Sequence, residues 1–302
     1  MDAVQSGSAR SVIIGGQGAV GRLFAWLLRS EGAVTLVDLR QGTPMPGVSS
    51  MVADVRSPDP RLTAELARAD VVVLAVPADI GAAATAAVAP HLRRGALLAE
   101  TLSVKAPIAD AMERAADRHG LEALGVNPMF APDLGFQGRP VVIVEVRGGE
   151  RSRRLQTLIR AGGGRLVPVS AADHDRLTAA LQVATHAGIL AFGRALQILD
   201  ADIATLVAAG PPPHRTLLAL LARIVTGTPE VYRDIQVAHP HAHAARLALR
   251  DACTQVDDAA TAAPEDRIEA MLAELADWLG PYRERLADDC VDLFSRLAAG
   301  AE

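Results

Sequence analysis

The chain has 302 residues, of which half are apolar and 22% are charged, and its net charge is -5. This length allows two domains with a substantial core, and the small negative charge excludes the basic field that nucleic-acid binding requires. The first ten residues are polar and lack a signal-peptide apolar region. The least polar stretch, 179–199, contains Gln182, His186, Arg194 and Gln197. It is therefore not expected to span a membrane, and we expect a soluble, cytoplasmic protein.

The two cysteines, Cys253 and Cys290, lie far apart and have no metal-ligand spacing. We expect them to be buried free thiols in a reducing compartment. Neither a disulfide framework nor a metal site is expected.

A glycine cluster follows the first apolar run of the chain, residues 12–14. Gly16, Gly18 and Gly21 have the G-x-G-x-x-G spacing of a dinucleotide-binding turn between a strand and a helix. In such a turn Gly16 allows the tight bend, Gly18 lets backbone N–H groups approach the pyrophosphate, and Gly21 lets helix and strand pack closely. The pyrophosphate would lie at the helix N-terminus, where free N–H groups favour an anion.

A second apolar run, 34–37, ends in Asp38, about 20 residues after the glycines. A carboxylate there accepts hydrogen bonds from ribose hydroxyls and repels a 2′-phosphate, so it favours NAD over NADP. Further cofactor contacts are expected where later strands reach the same edge. The full expected set is Gly16, Gln17, Gly18, Ala19, Val20, Gly21, Asp38, Val76, Pro77 and Thr101.

Apolar runs and amphipathic stretches alternate through the first half of the chain. Further strands are predicted at 51–55, 70–77, 96–100, 124–126, 140–144 and 165–169, and helices at 22–29, 59–69, 80–92, 107–119 and 151–161. This alternation predicts a doubly wound, mostly parallel sheet of the Rossmann type.

The pattern changes at Ser170, after which no strand signal recurs. We therefore expect an NAD-binding α/β domain at 1–170 and an all-helical domain at 171–302. The helical half is apolar enough that we expect it to bury surface against a second copy, which gives a homodimer.

Several segments beyond the glycine turn carry side chains suited to chemistry. Ser103 and Lys105 follow a predicted strand, at the edge where open α/β sheets bind ligands. The alternative is that Ser103 caps a helix and Lys105 is solvated. Asn127 stands in a proline-fixed loop, as a ligand contact or a turn residue. His174 is expected to be structural, while His186, in an apolar helix, is a core residue or a catalytic one.

Arg215 and Arg223 are just over two helical turns apart, on roughly one face of a predicted helix. Two guanidinium groups on one face can bind a dianion through bidentate contacts. A solvated basic face is the alternative.

Together these segments resemble the prephenate dehydrogenase family, including its arogenate-using members. The resemblance rests on the segments GGQGAVGRLF (15–24), LSVK (102–105), NPMFAP (127–132), DHDRLTAALQVATHA (173–187), PEVYRDIQ (229–236) and DWLGPYRERL (277–286). It implies an N-terminal NAD(P) domain and a helical domain that forms a homodimer.

The resemblance also implies roles for individual residues. The catalytic residues would be Asn127, His186 and Ser103, and the substrate-binding residues would be Lys105, Arg223, Arg215 and Gln182. In particular, Ser103 and Lys105 would contact substrate and nicotinamide, and His186 would lie in the substrate pocket. Arg223 would bind a substrate carboxylate, with Arg215 supporting it.

One departure from the family bears on the reaction. The family's loop reads H-P-M-F-G-P, and its histidine takes the proton of the C4 hydroxyl of prephenate, whereas this chain has Asn127. An amide cannot act as a general base near neutral pH, and losing general-base help costs about 10²–10⁴-fold in rate. A 4-amino substrate does not need that base, because its nitrogen lone pair can push the hydride out.

The sequence therefore resembles the aminodeoxyprephenate dehydrogenases that supply p-aminophenylalanine-type precursors to antibiotic pathways. The expected reaction is NAD-dependent oxidative decarboxylation of 4-amino-4-deoxyprephenate, a dicarboxylate cyclohexadiene, to 4-aminophenylpyruvate. One alternative is a prephenate or arogenate dehydrogenase of tyrosine biosynthesis in which His186 or an ordered water replaces the base. Another is a non-catalytic relative that senses NAD or another ligand, although the intact Ser103, Lys105, His186 and Arg223 speak against it.

Overall fold

The computed structural model describes residues 9–261 and 264–299. Its chain divides into two compact units. The first unit runs up to Thr178 and includes the short segment Val237–His239, and the second holds Ala179–Gln236 and the chain from Pro240 onward.

The first unit is built on one eight-stranded sheet. Its strands are β1 (Ala9–Ile14), β2 (Gly32–Asp38), β3 (Ser49–Val52), β4 (Val71–Leu74), β5 (Leu97–Glu100), β6 (Glu122–Pro128), β7 (Pro140–Arg147) and β8 (Arg165–Pro168). They lie in the order β3-β2-β1-β4-β5-β6-β7-β8. The first six are parallel, in the order of a doubly wound dinucleotide-binding sheet, and among the described strands only β6 and β7 pair antiparallel. The predicted mostly parallel sheet is confirmed.

Helices cover both faces of this sheet because its central strands are apolar on both sides. Successive side chains of β1 point to opposite faces of the sheet, so Val12 and Ile14 lie in one core cluster and Ile13 lies in the other. The helices of the unit that pack on the sheet are α1 (Ala19–Leu28), α2 (Pro60–Arg68), α3 (Ala78–Val88), α4 (Ala106–His119) and α5 (Glu150–Ala161). The first and last of these share the cluster of Ile13, and the other three share the opposite cluster. The result is a layered α/β core.

In the part that the structure describes, the chain from Ala171 onward is helical wherever it is regular. Its helices are α6 (Ala171–Thr178), α7 (Thr185–Ile198), α8 (Ile203–Ala209), α9 (Pro212–Val225), α10 (Pro229–Arg233), α11 (Ala242–Thr261), α12 (Pro264–Leu279) and α13 (Arg283–Ala299), with π-helical segments at Ala179–Ala184 and Asp234–Ala238. Within the described ranges the second unit contains no strand, which confirms the all-helical prediction for that part of the chain.

The two units divide after Thr178 rather than near residue 170. Helix α6 belongs to the first unit because Asp175 accepts hydrogen bonds from the backbone N–H groups of Lys105 and Ala106, at the start of α4. The helix also packs against α4 and β7. A change from strand to helix pattern marks Ser170, but it carries no information on which unit the first helix joins.

The prediction of buried cysteines is wrong. Cys253 in α11 and Cys290 in α13 are free, as predicted, but both are exposed. The reason is that the helices of the second unit share only a small core, around Val183, Ile235 and Ala242. Among the described residues, no helix is long and apolar enough to cross a bilayer.

Candidate dinucleotide and substrate site

The glycine-rich turn joins β1 to α1, and three of its glycines are required by its shape. A Cβ on Gly16 would lie 2.8 Å from the carbonyl oxygen of Ile13 and 2.7 Å from Cβ of Leu36, as the tight bend predicts. Gly15 has a φ of +75°, and a Cβ there would overlap the carbonyl oxygen of Ala75. A Cβ on Gly21 would overlap the carbonyl oxygen of Gly15. A Cβ on Gly18 would lie 3.3 Å from the same oxygen, which is a tight contact but not an overlap. Gly18 precedes α1 without a side-chain cap, so the N–H groups of the first turn remain suited to an anion.

Asp38 lies at the end of β2, beside this turn. Its Oδ2 accepts a hydrogen bond from the backbone N–H of Gln17 at 3.0 Å, and its Oδ1 accepts one from Leu39 at 2.8 Å. These bonds fix the carboxylate, and each of its oxygens has a second lone pair for a ribose hydroxyl.

The remaining expected cofactor residues follow β4 and β5, at the same edge of the parallel sheet. Val76 and Pro77 connect β4 to α3. Thr101 follows β5 and donates to the carbonyl of Leu74 through both its backbone N–H and its hydroxyl. These features together fit a dinucleotide such as NAD. They are the unpaired N–H groups at the start of α1, the glycine-rich turn in which a Cβ would take up space, and the fixed carboxylate of Asp38.

A buried ion pair supports the segment after β5. Nζ of Lys105 lies 2.7 Å from Oε1 of Glu100, and the two side chains are 1% and 2% exposed. Oε2 of Glu100 accepts from the backbone N–H of Leu102, and Nζ lies 3.4 Å from the carbonyl of Val126. Burial raises the pKa of Glu100 and lowers the pKa of Lys105, while the attraction between them opposes both shifts.

A glycine in β6 makes room for this pair. Gly125 is the register partner of Glu100, and a Cβ at Gly125 would lie 2.5 Å from the Oε1 atom. The resemblance predicts that Lys105 contacts substrate, but its ammonium group lies in the interior because Glu100 needs the compensating charge. Ser103, in the same segment, is half-buried.

We expect Lys105→Met to lower the free energy of unfolding by about 3–5 kcal/mol, because it leaves the charge of Glu100 buried and unpaired. The matched control is the double variant Glu100→Gln/Lys105→Met, which removes both charges and should recover most of that loss. Urea unfolding followed by circular dichroism measures both. Equal stability of the single and double variants would show that the pair is not ionised.

Asn127 lies in β6 and not in a loop. The strand continues to Pro128, and Asn127 is the register partner of Val142 in β7. Strand pairing therefore holds its backbone, and the prediction that prolines fix it is wrong, because β7 extends the pairing beyond the predicted strand. The side-chain Nδ2 lies 2.9 Å from Nε2 of His174.

Asn127, His174 and Asp175 form a continuous chain of hydrogen bonds, and none of the three is more than 3% exposed. The Nδ2 group of an amide only donates, so Nε2 of His174 accepts. Nδ1 of His174 then carries the proton and donates to Oδ1 of Asp175 at 2.8 Å.

The charges along this chain are set by burial and backbone contacts. Burial alone would raise the pKa of Asp175, but the hydrogen bonds from His174 and from the N–H groups of Lys105 and Ala106 lower that pKa overall. Burial lowers the pKa of His174 below its ordinary value of 6.5, despite the hydrogen bond to Asp175. The imidazole is therefore neutral near pH 7 beside an ionised carboxylate.

The sequence does not single out Asp175 or Glu100, and it predicts only a structural role for His174. His174 is 47 residues from Asn127 along the chain. The D-H-D pattern at 173–175 was a possible signal, but only the packing of α6 reveals its partner.

The residues predicted to bind substrate in the helical half gather around α7 and α9. Oε1 of Gln182 and Nδ1 of His186 are buried and lack a hydrogen-bond partner among the described residues. The ring of His186 meets Tyr232 edge-on, with ring centroids 5.2 Å apart. Burial and the charge of Arg223 lower the pKa of His186. An orphaned ring nitrogen near a guanidinium fits an anionic ligand, whereas an orphaned amide oxygen fits a group that donates a hydrogen bond.

Arg215 and Arg223 both lie in α9, as predicted. Arg215 is half-buried and Arg223 is exposed. Their spacing places them on one side of the helix.

The strand order, the glycine turn and the carboxylate at the end of β2 define a Rossmann-type dinucleotide-binding protein. The family model described as "Prephenate dehydrogenase, nucleotide-binding domain" matches residues 24–146. The 4-amino-4-deoxyprephenate dehydrogenase of Streptomyces pristinaespiralis is 48% identical over 289 residues, which cover 95% of this chain and 97% of that protein. This chain belongs to the prephenate dehydrogenase family.

Solved structures share its fold. The prephenate dehydrogenase from A. aeolicus in complex with hydroxyphenyl propionate and NAD+ has a TM-score of 0.69 at 15% identity, over 89% of this chain and 96% of that one. The Synechocystis arogenate dehydrogenase has a TM-score of 0.65 at 17% identity, over 92% of this chain and 99% of that one. These similarities confirm the predicted fold class.

Proposed function

We propose that this chain is an NAD-dependent 4-amino-4-deoxyprephenate dehydrogenase that forms 4-aminophenylpyruvate and carbon dioxide. The observation that carries the proposal is Asn127, which stands where the family motif has its histidine. Support comes from the 48% identity to a relative that is named for this activity.

In this reaction C4 loses a hydride, C1 loses carbon dioxide, and the ring becomes aromatic. NAD, when bound, accepts the hydride. Electrons from the broken C–C bond neutralise the iminium at C4, so a neutral amine needs no base. The chain must hold that amine with its lone pair available to expel the hydride.

Asn127 is suited to hold the amine. Its Nδ2 is occupied by His174. No described residue donates a hydrogen bond to its Oδ1. Oδ1 is also not among the fully buried polar atoms that lack a partner, so it remains accessible to a ligand. An amide oxygen accepts a hydrogen bond from the amine without taking its proton, and so leaves the nitrogen lone pair for the reaction.

Recognition of the two carboxylates is proposed for the helical unit. Arg223 would bind one carboxylate and Arg215 would support it, because guanidinium groups grip carboxylates through paired hydrogen bonds. The orphaned atoms of Gln182 and His186 would bind polar groups of the substrate. Ser103, just after β5, would contact substrate from the sheet edge.

A prephenate or arogenate dehydrogenase is the second candidate. His186 favours it, because burial and Arg223 lower the pKa of this histidine and its Nδ1 has no partner among the described residues. Such a ring can accept the proton of a C4 hydroxyl. Arogenate bears its amine on the side chain and keeps the C4 hydroxyl, so Asn127 gives it no advantage.

The deciding measurement is NADH formation with 4-amino-4-deoxyprephenate, prephenate and arogenate. We expect the native chain to prefer the amino substrate. We expect Asn127→His to raise kcat/KM for prephenate by about 10²–10⁴-fold, because it restores the general base. The matched control is Asn127→Ala, which removes Oδ1 without adding a base and should lose the amino substrate without gaining prephenate.

Two results would contradict this assignment. Efficient prephenate oxidation by the native chain would favour the second candidate, with His186 or water as the base. Turnover of none of the three substrates would favour the ligand-sensing alternative.

Asp38→Asn tests the cofactor assignment. It keeps the side-chain shape and removes the charge that binds the ribose hydroxyls, so we expect KM for NAD to rise about 10–100-fold. The ratio of NADP to NAD turnover should rise, because a 2′-phosphate is no longer repelled. Asp110→Asn, at an exposed position of α4, is the control and should change neither. An unchanged KM for NAD would place the ribose elsewhere.

We propose that the helical unit forms a homodimer. Leu272, Leu275 and Trp278 of α12 are 61%, 51% and 80% exposed. Their spacing of three residues places them along one stripe of the helix. A stripe of large apolar side chains exposed on a monomer is typical of a surface that another protein covers.

Leu275→Lys places a charge in the middle of that stripe. We expect it to shift the chain from dimer to monomer in analytical ultracentrifugation. Asp277→Lys, at an exposed position on the opposite side of α12, adds the same side chain outside the stripe and should leave the dimer intact. A Leu275→Lys variant that stays dimeric would exclude this stripe as the interface.

A cytoplasmic location is proposed from cysteine usage. Cys253 and Cys290 are exposed and unpaired. Exposed thiols persist in a reducing compartment and tend to oxidise outside one.

A further inference from the structure

The side-chain amide of Asn127 has two ends of nearly the same size but opposite hydrogen-bonding character. Oδ1 accepts and Nδ2 donates. Backbone pairing in β6 positions the Cα of Asn127, but it does not determine which end of the amide points to His174. A neighbour of fixed polarity is needed for that choice.

Such a neighbour is built from α6. Both carboxylate oxygens of Asp175 are held by backbone N–H groups, with Oδ1 2.8 Å from the nitrogen of Lys105 and Oδ2 2.9 Å from that of Ala106. The carboxylate is therefore ionised and can only accept. His174 must then direct a proton on Nδ1 towards it, which leaves Nε2 of a neutral ring as a lone-pair acceptor.

We propose that His174 and Asp175 fix the polarity of the Asn127 amide, so that Nδ2 is committed to His174 and Oδ1 is the end that meets the substrate. His174 is thus a positioning residue, and Asp175 sets its tautomer. The proposal deepens the proposed function and rests on it for the identity of the substrate.

The polarity matters because the two orientations have opposite effects on the amine. Oδ1 accepts an N–H of the neutral amine and leaves the nitrogen lone pair to expel the hydride. A flipped amide would direct Nδ2 at that lone pair and hold it in a hydrogen bond. The flipped amide would also set Oδ1 against the lone pair of Nε2, 2.9 Å away in the present arrangement. The pair of His174 and Asp175, called the His174–Asp175 dyad below, therefore disfavours the unproductive orientation.

The same dyad can orient a different side chain at this position. The ring introduced by Asn127→His would have to donate one N–H to Nε2 of His174. Its other nitrogen would then carry a lone pair, which is the form that a general base requires. The prephenate activity expected of Asn127→His should therefore depend on His174.

The test compares His174→Leu with His174→Gln. Leucine offers Asn127 no acceptor, whereas glutamine is neutral and can present an oxygen to Asn127 and an N–H to Asp175. We expect His174→Leu to lower kcat for 4-amino-4-deoxyprephenate by about 10–100-fold, as for loss of one buried hydrogen bond, with little change in KM for NAD. We expect His174→Gln to retain most of the activity. In the Asn127→His background, His174→Leu should abolish the gained prephenate turnover.

Nitrogen NMR of the His174 ring tests the geometry without any turnover. We expect the Nδ1–H tautomer in the native chain. A proton on Nε2 would mean that Oδ1 of Asn127 faces the ring, and it would overturn the proposal whatever the activity. Equal loss in His174→Leu and His174→Gln, with unchanged thermal stability, would also overturn it.

The outcomes separate the two proposals. If the native chain turns over none of the three substrates, the proposed function is wrong, while the tautomer still decides the amide polarity. If His174→Leu does not fold, the glutamine variant and the native tautomer remain decisive.

Discussion

The carboxylate of Asp175 is held by the first backbone N–H groups of α4, and the site on the sheet unit depends on this contact. Unpaired N–H groups at a helix start suit an anion, and here that anion comes from α6. The contact joins α6 to the sheet unit, and it sets the tautomer of His174. Through His174 it reaches Asn127 in β6.

A second buried charge lies close to the first. Lys105 begins α4 with its backbone N–H on Asp175, while its ammonium compensates Glu100 at the end of β5. One residue thus connects both carboxylates, and the absence of a side chain at Gly125 leaves the space. Buried charges are tolerated because each has a partner and further hydrogen bonds. The segment between β5 and α4, which contains Ser103, is held from both ends.

The buried charged groups of the sheet unit are paired, whereas several buried polar atoms elsewhere are not. In the sheet unit Glu100, Lys105 and Asp175 are all paired, and Oγ1 of Thr85 is buried without a partner among the described residues. In the helical unit Gln182 and His186 keep buried polar atoms without partners among the described residues. Pairing within the chain favours a rigid scaffold, whereas orphaned polar atoms favour a surface that binds something else.

Local pattern was enough for the main architecture. Continuous apolar runs such as 71–74 predict buried parallel strands, and glycine spacing with Asp38 predicts the dinucleotide turn. Both predictions succeed because backbone conformation and burial are reflected in the residue types of the segment itself. Local pattern left Asn127 as a ligand contact or a turn residue, and only comparison with the family's H-P-M-F-G-P motif identified it as unusual. The residue types of a segment do not show which distant residue pairs with it. Three features depend on contacts between segments that the sequence pattern does not connect. These are the extension of β6 past Asn127, the ion pair of Lys105 with Glu100, and the hydrogen bond between His174 and Asn127. The buried cysteines were predicted wrongly for the same reason, since burial of a helix face depends on which neighbour covers it.

The sequence by itself determined the fold class and the family, and tertiary packing alone decided which end of each polar side chain is used inside the protein and which remains for a ligand.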